Sequence, residues 1–157
     1  MFARNVTALA AAALITAACS GTGSPTWQDE LIELSQSEHA RALHYPAALD
    51  ASTVDSTMDQ QCHAIDAALA NPAFGDDASV LAQITASIEV QREQRVPEEL
   101  LRRDFAALDA GMRARCPETH ERLSTYFPFD DFEDVLDCEP VAVFDEPEAM
   151  IEACAGS

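Results

Sequence analysis

The chain has 157 residues, of which 48% are hydrophobic, and its 28 acidic residues outnumber nine basic ones, giving a formal net charge of −19. This apolar fraction indicates a folded chain, and the length is typical of one domain. The negative charge argues against binding to nucleic acid or to anionic lipid headgroups, because both would be repelled.

The first 19 residues are arranged like an export signal. Arg4 and the amino terminus supply positive charge, residues 6–18 carry none, and small residues precede Cys19. The uncharged run of about 13 residues is too short for a hydrocarbon core that needs roughly 20. No later stretch is both long and uncharged enough to span a membrane. An exported protein is therefore predicted.

The end of the uncharged run, residues 14–19, reads LITAAC and resembles the lipobox of bacterial lipoprotein signal peptides. The resemblance covers only this amino-terminal segment. It implies a signal peptide over residues 1–18 and a lipid on Cys19, the first mature residue. By the same resemblance, Ser20 favours an outer-membrane lipoprotein facing the periplasm. The alternative is an ordinary signal cut after Ala18, which would give a soluble periplasmic or secreted protein.

Residues 19–25 are predicted to form the lipidated cysteine and a flexible tether, and residues 26–157 an acidic helical domain. Without the signal, eight arginines face 28 acidic residues, a formal charge of −20. Since this domain should be repelled by anionic lipid, the lipid on Cys19 is the predicted attachment to the membrane.

Four amphipathic helices are predicted in the first part of the domain, from apolar residues at helical spacing. They are predicted over residues 26–46, 52–71, 76–95 and 97–116. Thr26 and Asp29 have capping-box spacing at the start of the first. Gly111 lies inside the fourth, where it indicates either a close helix crossing or a tolerated weakness. Helices joined by short turns bury their apolar faces together, so an all-α, four-helix bundle-like core is predicted.

The rest of the chain is predicted to be a tail of short helices. One carries Leu123 and ends before Pro128. The next should open at Asp130 and Glu133, which have capping-box spacing, and a last one follows a similar pair at residues 145 and 148. Residues 141–144 are predicted to be extended.

Cysteine count and position predict that this fold is held by disulfides. Once Cys19 is set aside, four cysteines remain, an even number typical of an oxidising compartment: Cys62, Cys116, Cys138 and Cys154. Their positions favour one bond between the second and fourth helices and one within the tail, although four cysteines allow three pairings. A zinc site is disfavoured because no pair has the required close spacing.

Few residues suggest chemistry. His63 could share a helix face with Asp59 and Asp66, which would suit a metal ion, but an ion-paired, solvated face is the favoured interpretation. His120 lies between polar residues and is expected at the surface. No nucleophile elbow, phosphate loop or zinc-protease motif is present, so no catalytic residue, metal or cofactor is predicted.

The most distinctive surface feature is an acidic tail, because the chain has no basic residue from Leu123 onward. Six of its acids form the predicted acidic docking face: Asp130, Asp131, Glu133, Asp134, Asp137 and Glu139. Their field would attract a basic envelope protein, or would only keep the protein soluble. Calcium is a lesser alternative, since the EF-hand spacing is missing.

The leading hypothesis is a lipid-anchored envelope lipoprotein that acts as a non-enzymatic protein-binding module. One alternative is an acidic immunity or inhibitor protein against a cationic enzyme that attacks the envelope. Another is a small hydrolase or metal-dependent enzyme of unrecognised type. The sequence does not indicate an oligomeric state.

Overall fold

The computed structural model describes residues 25–71, 77–127, 130–138 and 154, with the side chains of 77–79 and 81–82 left out. The predicted signal peptide, Cys19, Glu139 and the predicted elements at 141–152 lie outside this part of the chain. The helices are α1 (Trp27–Ser35), α2 (Val54–Leu69), α3 (Asp77–Glu93), α4 (Glu98–Arg115), α5 (Pro117–Ser124) and a 3₁₀ helix (Phe132–Asp137). Within the described residues, no helix has the length and apolar character needed to cross a membrane.

The predicted all-α, bundle-like fold is confirmed, and α2, α3 and α4 lie where apolar periodicity indicates them. The capping box of α1 is also present: the Asp29 amide donates to Thr26 Oγ1 at 3.3 Å, and the Thr26 amide donates to Asp29 Oδ2 at 3.0 Å. This reciprocal pair satisfies amides that the first turn leaves without helical partners.

The predicted length of the first helix is wrong, because α1 ends at Ser35 and turns follow over residues 36–44. Serine hydroxyls compete with the backbone at this point. Ser35 Oγ donates to the Ile32 carbonyl at 2.8 Å and accepts from the Leu49 amide at 2.8 Å. This second bond holds the returning chain against the end of α1, which a continued helix would not allow.

The predicted capping box at Asp130 and Glu133 is also wrong. The helix begins one residue later than this pair requires, after Asp131, and it has 3₁₀ rather than α geometry. Asp131 does not cap it, since its Oδ1 lies 3.3 Å from Nη2 of Arg113. The same guanidinium donates to the Asp130 carbonyl at 3.1 Å. A tertiary ion pair has therefore replaced the local cap.

α4 is the central helix of the bundle, packing against α1, α2, α5 and the 3₁₀ helix. Its Leu101 is fully buried. A Cβ on Gly111 would collide with Met58 Cε of α2 and lie 3.0 Å from Trp27 Cε3 of α1. Glycine therefore permits a close crossing of three helices, which is the first of the two interpretations predicted for it.

Two disulfides join the four remaining cysteines in the pairing that their positions favour. Cys62 on α2 is bonded to Cys116 at the end of α4, with Cα atoms 6.2 Å apart. Cys138, after the 3₁₀ helix, is bonded to Cys154, with Cα atoms 4.4 Å apart. The first bond links two core helices and the second closes the tail.

Arginine side chains connect the helices across the outside of the bundle. Arg103 of α4 lies 2.7 Å from Oε2 of Glu30 and 2.9 Å from Oε1 of Glu33, both on α1. Arg92 near the end of α3 bridges to Glu98 of α4 at 3.1 Å and donates to the Leu136 carbonyl at 2.8 Å. These arginines are thus paired with acidic residues and a backbone carbonyl of neighbouring helices.

Candidate functional site

A cleft of about 430 Å³ lies between α2, α3 and α4. Small-molecule sites have volumes of roughly 300–1,000 Å³. The buried core consists of two clusters, and three partly buried residues that pack against both also line the cleft: Ile84, Phe105 and Phe127. The cleft therefore lies at the junction between the clusters, where the helices do not close completely.

The face of α3 that lines the cleft mixes apolar and polar residues. Its members recur at each turn of the helix: Val80, Gln83, Ile84, Ser87 and Gln91. Such spacing places them along one side of the helix. Apolar periodicity alone identifies only the first and third of them as facing inward. The signal that was missed is the regular recurrence of uncharged polar residues on the same face.

Two consecutive residues before α2 show that one end of the cleft is polar. Tyr45 Oη donates to Asp104 Oδ1 on α4 at 2.5 Å. The neighbouring His44 has its Nε2 3.5 Å from Ser87 Oγ on α3. Ser87 lies in the second half of α3 and Asp104 in the first half of α4, and the short turn between these helices places both toward the same end of the cleft. Gln91, one turn beyond Ser87, also belongs to this end.

The opposite end of the cleft is apolar. Met112 lies two turns further along α4 than Asp104, and it lines the cleft together with Val80 at the start of α3. The remaining walls there are also hydrocarbon or aromatic: Ile65, Leu69, Leu123 and Phe132. The cleft is consequently amphipathic along its length.

Asp104 is a buried acid at the polar end, with only 4% of its surface exposed. Burial raises the pKa of this carboxyl to about 6, although the hydrogen bond from Tyr45 acts in the opposite direction. Burial and the neighbouring carboxylate also raise the pKa of Tyr45, which therefore stays a neutral hydrogen-bond donor. A carboxylate removed from water interacts strongly with any donor or cation placed beside it.

Gln91 is equally buried, at 4% exposed, and its Oε1 has no hydrogen-bond partner among the described residues. An unsatisfied buried acceptor costs about 1–3 kcal/mol. Native proteins rarely leave such groups unpaired without a reason. Gln91 is therefore the group in the cleft whose environment is incomplete without a bound donor; the other described buried acceptor without a partner, Asp55 Oδ1, does not line the cleft.

The cleft is open to solvent at its rim. Gln61 of α2, Gln83 of α3 and His44 line it and are exposed. These polar side chains at the rim leave a route from solvent to the interior of the cleft. The described geometry is that of an accessible cleft with apolar walls and one buried polar end.

A second polar cluster surrounds His120, which the sequence placed at the surface. The ring is largely buried, stacks on Phe132 with ring centroids 4.9 Å apart, and has Nε2 2.7 Å from Asp109 Oδ1. Asp109 also pairs with Arg113 Nε at 2.9 Å. The expectation of a surface histidine was wrong, because Phe132 of the 3₁₀ helix covers the ring.

The cluster contains the three residue types of a hydrolase triad, Asp109, His120 and Ser124, but their geometry does not activate the serine. Ser124 Oγ donates to the His120 carbonyl at 2.8 Å and lies 3.4 Å from His120 Nδ1. The hydroxyl proton is thus directed to the backbone rather than to the imidazole, as an activated nucleophile requires. The cluster fastens α5 to α4 and to the 3₁₀ helix.

The helix face around His63 carries ion pairs that connect helices. Asp59 pairs with Arg115 of α4 at 2.6 Å, and Asp66 pairs with Arg122 of α5 at 2.5 Å. The two acids are therefore directed to different arginines rather than to His63. Over the described ranges, no group of three His, Cys, Asp or Glu side chains could hold a metal ion.

Two carboxylates of the predicted acidic docking face are neutralised by arginines of α4. Asp137 forms a close pair with Arg102 of α4, whose hydrogen bond lowers the pKa of the carboxyl. Asp131 pairs with Arg113 at 3.3 Å. The sequence could not show this, because both arginines precede the acidic tail by more than a helical turn. Glu139 lies outside the described residues.

The unneutralised part of this face is smaller than predicted. Asp130 and Asp134 are exposed and Glu133 is half-buried. None of the three forms an ion pair with another described residue. They retain the negative field that the sequence suggested, whereas Asp131 and Asp137 are paired with arginines.

Comparison with known proteins identifies no relative: no family, no curated protein and no solved structure matches this chain. The fold and the site therefore define only a class, a disulfide-stapled helical bundle with an amphipathic cleft.

Proposed function

We propose that this protein is a lipid-anchored lipoprotein of the cell envelope that acts by binding rather than by catalysis, and that its binding site is the cleft between α2, α3 and α4. The observation that carries the proposal is the volume of about 430 Å³ enclosed by mainly apolar walls. Apolar clefts with a few convergent polar groups are the usual form of a ligand site.

Binding is favoured over catalysis by the residues that line the cleft. Asp104 is the acidic residue among the described residues that line the cleft, and its hydrogen-bond partner, Tyr45, offers a hydrogen bond rather than an activated nucleophile. General acid–base chemistry needs a group poised against a reacting atom and a means to stabilise developing charge. No arginine is among the described residues that line the cleft.

A fluorescence titration with 1-N-phenylnaphthylamine, an uncharged apolar probe, tests the cleft. The full chain would carry Cys19→Ser, which removes the predicted lipid and so avoids detergent. Ala68→Phe should fill the cleft and weaken probe binding by about tenfold, because Ala68 lines it. Ala64→Phe is the matched control, since Ala64 is exposed one turn earlier on α2. Absence of probe binding, or equal loss in both variants, would refute the proposal.

The membrane attachment has its own test. We expect the wild-type chain to fractionate with membranes and the Cys19→Ser chain to be released, because the acidic domain should be repelled by anionic lipid. The measurement is the distribution of the protein between membrane and soluble fractions after cell disruption. Persistent attachment of the serine variant would contradict the proposed anchor.

A second candidate function is docking of a basic envelope protein on the acidic face, including a cationic enzyme that the protein would inhibit. Asp130, Glu133 and Asp134 support it, since none of them forms an ion pair with a described arginine, although Arg102 acts on Glu133 at longer range. Complementary charge would speed encounter more than it would tighten binding.

Pull-down from solubilised envelope tests this docking. Neutralising Asp130, Glu133 and Asp134 with amides should remove a basic partner that is held at low salt and lost at high salt. The control neutralises three exposed acids elsewhere: Glu38, Glu93 and Glu118. A partner that survives the first triple variant, or high salt, would argue against electrostatic docking.

A further inference from the structure

We propose that the ligand of the cleft is a small amphipathic molecule whose polar head donates hydrogen bonds, an alcohol or an amine, and whose apolar body lies toward Met112 and Leu123. This inference rests on the proposed function, since it names the ligand class of the same cleft.

The head group follows from the kinds of polar atom at the polar end. Gln91 Oε1 is a buried acceptor without a partner among the described residues, and the Asp104 carboxylate is an acceptor with one donor, Tyr45 Oη. Both lie on walls of the same cleft. A ligand that donates to them would satisfy Gln91 and stabilise the buried acid, whereas a ligand that only accepts would leave Gln91 unpaired.

The orientation of the ligand in the cleft follows from the positions of the lining residues along the helices. Asp104 and Met112 are two turns apart on α4, and both line the cleft. The turn-linked ends of α3 and α4 bring Gln91 close to the start of α4, so the donors of the ligand belong there. The opposite end, with Leu123 and Phe132, offers no described charged group. A hydrocarbon body placed at that end would be removed from water.

The charge of the cleft disfavours a carboxylate head. Asp104 carries negative charge once ionised, and the chain as a whole has a formal charge of −19. Like charges close together in a buried site repel strongly. A fatty acid anion of the same length as an alkyl alcohol should therefore bind more weakly, even though its apolar body is identical.

The test is displacement of 1-N-phenylnaphthylamine from the full chain carrying Cys19→Ser, with three competitors of equal chain length: decylamine, decanol and decanoate. At pH 7.5 we expect decylamine and decanol to bind at least about tenfold more tightly than decanoate. If decanoate competes as well as decanol while the probe binds normally, the inference about the head group is wrong, but the cleft is still supported as the binding site. If the probe itself does not bind, the proposed function fails.

Two substitutions separate the head-group contacts from general apolar binding. Gln91→Leu should weaken decanol about fivefold. The probe carries one N–H donor, so its own affinity is measured in the same variant. Gln94→Leu, at an exposed glutamine beyond the end of α3, is the control. Asp104→Asn should abolish the preference for decylamine over decanol. Urea unfolding would show that each variant is folded. Unchanged competitor affinities in both folded cleft variants would overturn the inference.

Discussion

The two sides of α4 are packed differently. On the side that faces α1, α5 and the part of α2 up to Cys62, which we call the closed side, Gly111 lets three helices meet. A disulfide there joins Cys62 to Cys116, and an arginine connects α4 to α1. On the side that faces α3, which we call the open side, a cleft of about 430 Å³ remains and two polar side chains are buried in it.

The difference shows how one bundle divides stability from binding. Close packing and cross-linking are concentrated where no ligand is proposed. The open side carries a buried acid without an ion pair and an unsatisfied amide in one cleft, and native folds retain such groups mainly at functional sites. The closed side also holds a buried acid, Asp109, and an unpartnered acceptor, Asp55 Oδ1, but each of these two residues is paired with an arginine. Four substitutions test this division, from the largest expected effect to the smallest.

Removing the Cys62–Cys116 bond should have the largest effect. The Cys62→Ala/Cys116→Ala chain should lose about 4 kcal/mol of unfolding free energy, since the bond closes a loop of 54 residues in the unfolded chain. Urea denaturation without reductant measures it. The same change at Cys138 and Cys154, with a loop of 16 residues, should cost about 3 kcal/mol. If the Cys62/Cys116 variant loses less unfolding free energy than the Cys138/Cys154 variant, the proposed role of the first bond on the closed side is contradicted.

Asp104→Asn should stabilise the open side at neutral pH. Burial raises the folded pKa of Asp104 to about 6 from 3.8, so the folded state binds more protons in that window and stability falls as pH rises through it. The variant should gain on the order of 3 kcal/mol at pH 8, and the gain should vanish only below the unfolded pKa, at about pH 3. Tyr45 can still donate to the amide oxygen, and His44 is the other titratable side chain lining the cleft.

Urea unfolding at several pH values measures this difference. Asp134→Asn is the matched control, because Asp134 is exposed and should change stability little at any pH. A pH-independent effect of Asp104→Asn would mean that the acid does not titrate between the folded and unfolded states as described.

Gly111→Ala should destabilise the closed side by about 1 kcal/mol. The gain in helix propensity is about 1 kcal/mol, and the overpacking cost is roughly 1–3 kcal/mol. The added Cβ would collide with Met58 Cε, and Met58 is only 1% exposed, so its end has little space to move. Met58→Leu removes that methyl and should make Gly111→Ala neutral or stabilising. If thermal unfolding shows that Met58→Leu does not restore the stability of the Gly111→Ala chain, the close crossing is ruled out.

Arg103→Gln should have the smallest effect, about 0.5 kcal/mol, because partly exposed ion pairs contribute little and are screened by salt. The arginine bridges Glu30 and Glu33 with 30% of its side chain exposed. Arg41→Gln is the control, since Arg41 is exposed and forms no ion pair with a described residue. The difference between the two variants should shrink in high salt, and a loss of several kcal/mol would assign the arginines a larger role.

Much of the fold could be predicted from local patterns. Apolar residues at helical spacing located α2, α3 and α4, and the Thr26 and Asp29 pair located the start of α1. The end of α1 and the start of the 3₁₀ helix were wrong, since Ser35 and Asp131 bond to residues distant in sequence. Local rules fail where a tertiary partner competes for the same polar atom.

The site was harder to predict than the fold. The polar residues of α3, among them Ser87 and Gln91, look like ordinary surface positions until the opposite wall is known. Asp104 resembles any acid of an amphipathic helix, although it is buried under Tyr45, 59 residues earlier. Burial of a polar group depends on what covers it, and one sequence does not report this.

The sequence by itself determined the composition, the predicted anchor at Cys19, the helices and the even set of cysteines, because each depends on neighbouring residues or on counting. Only the tertiary structure decided which arginines neutralise which acids, that helices cross closely at Gly111, and that a cleft remains between α3 and the neighbouring helices. These depend on distances between residues far apart in the chain, where packing fixes which groups meet and which remain without a partner.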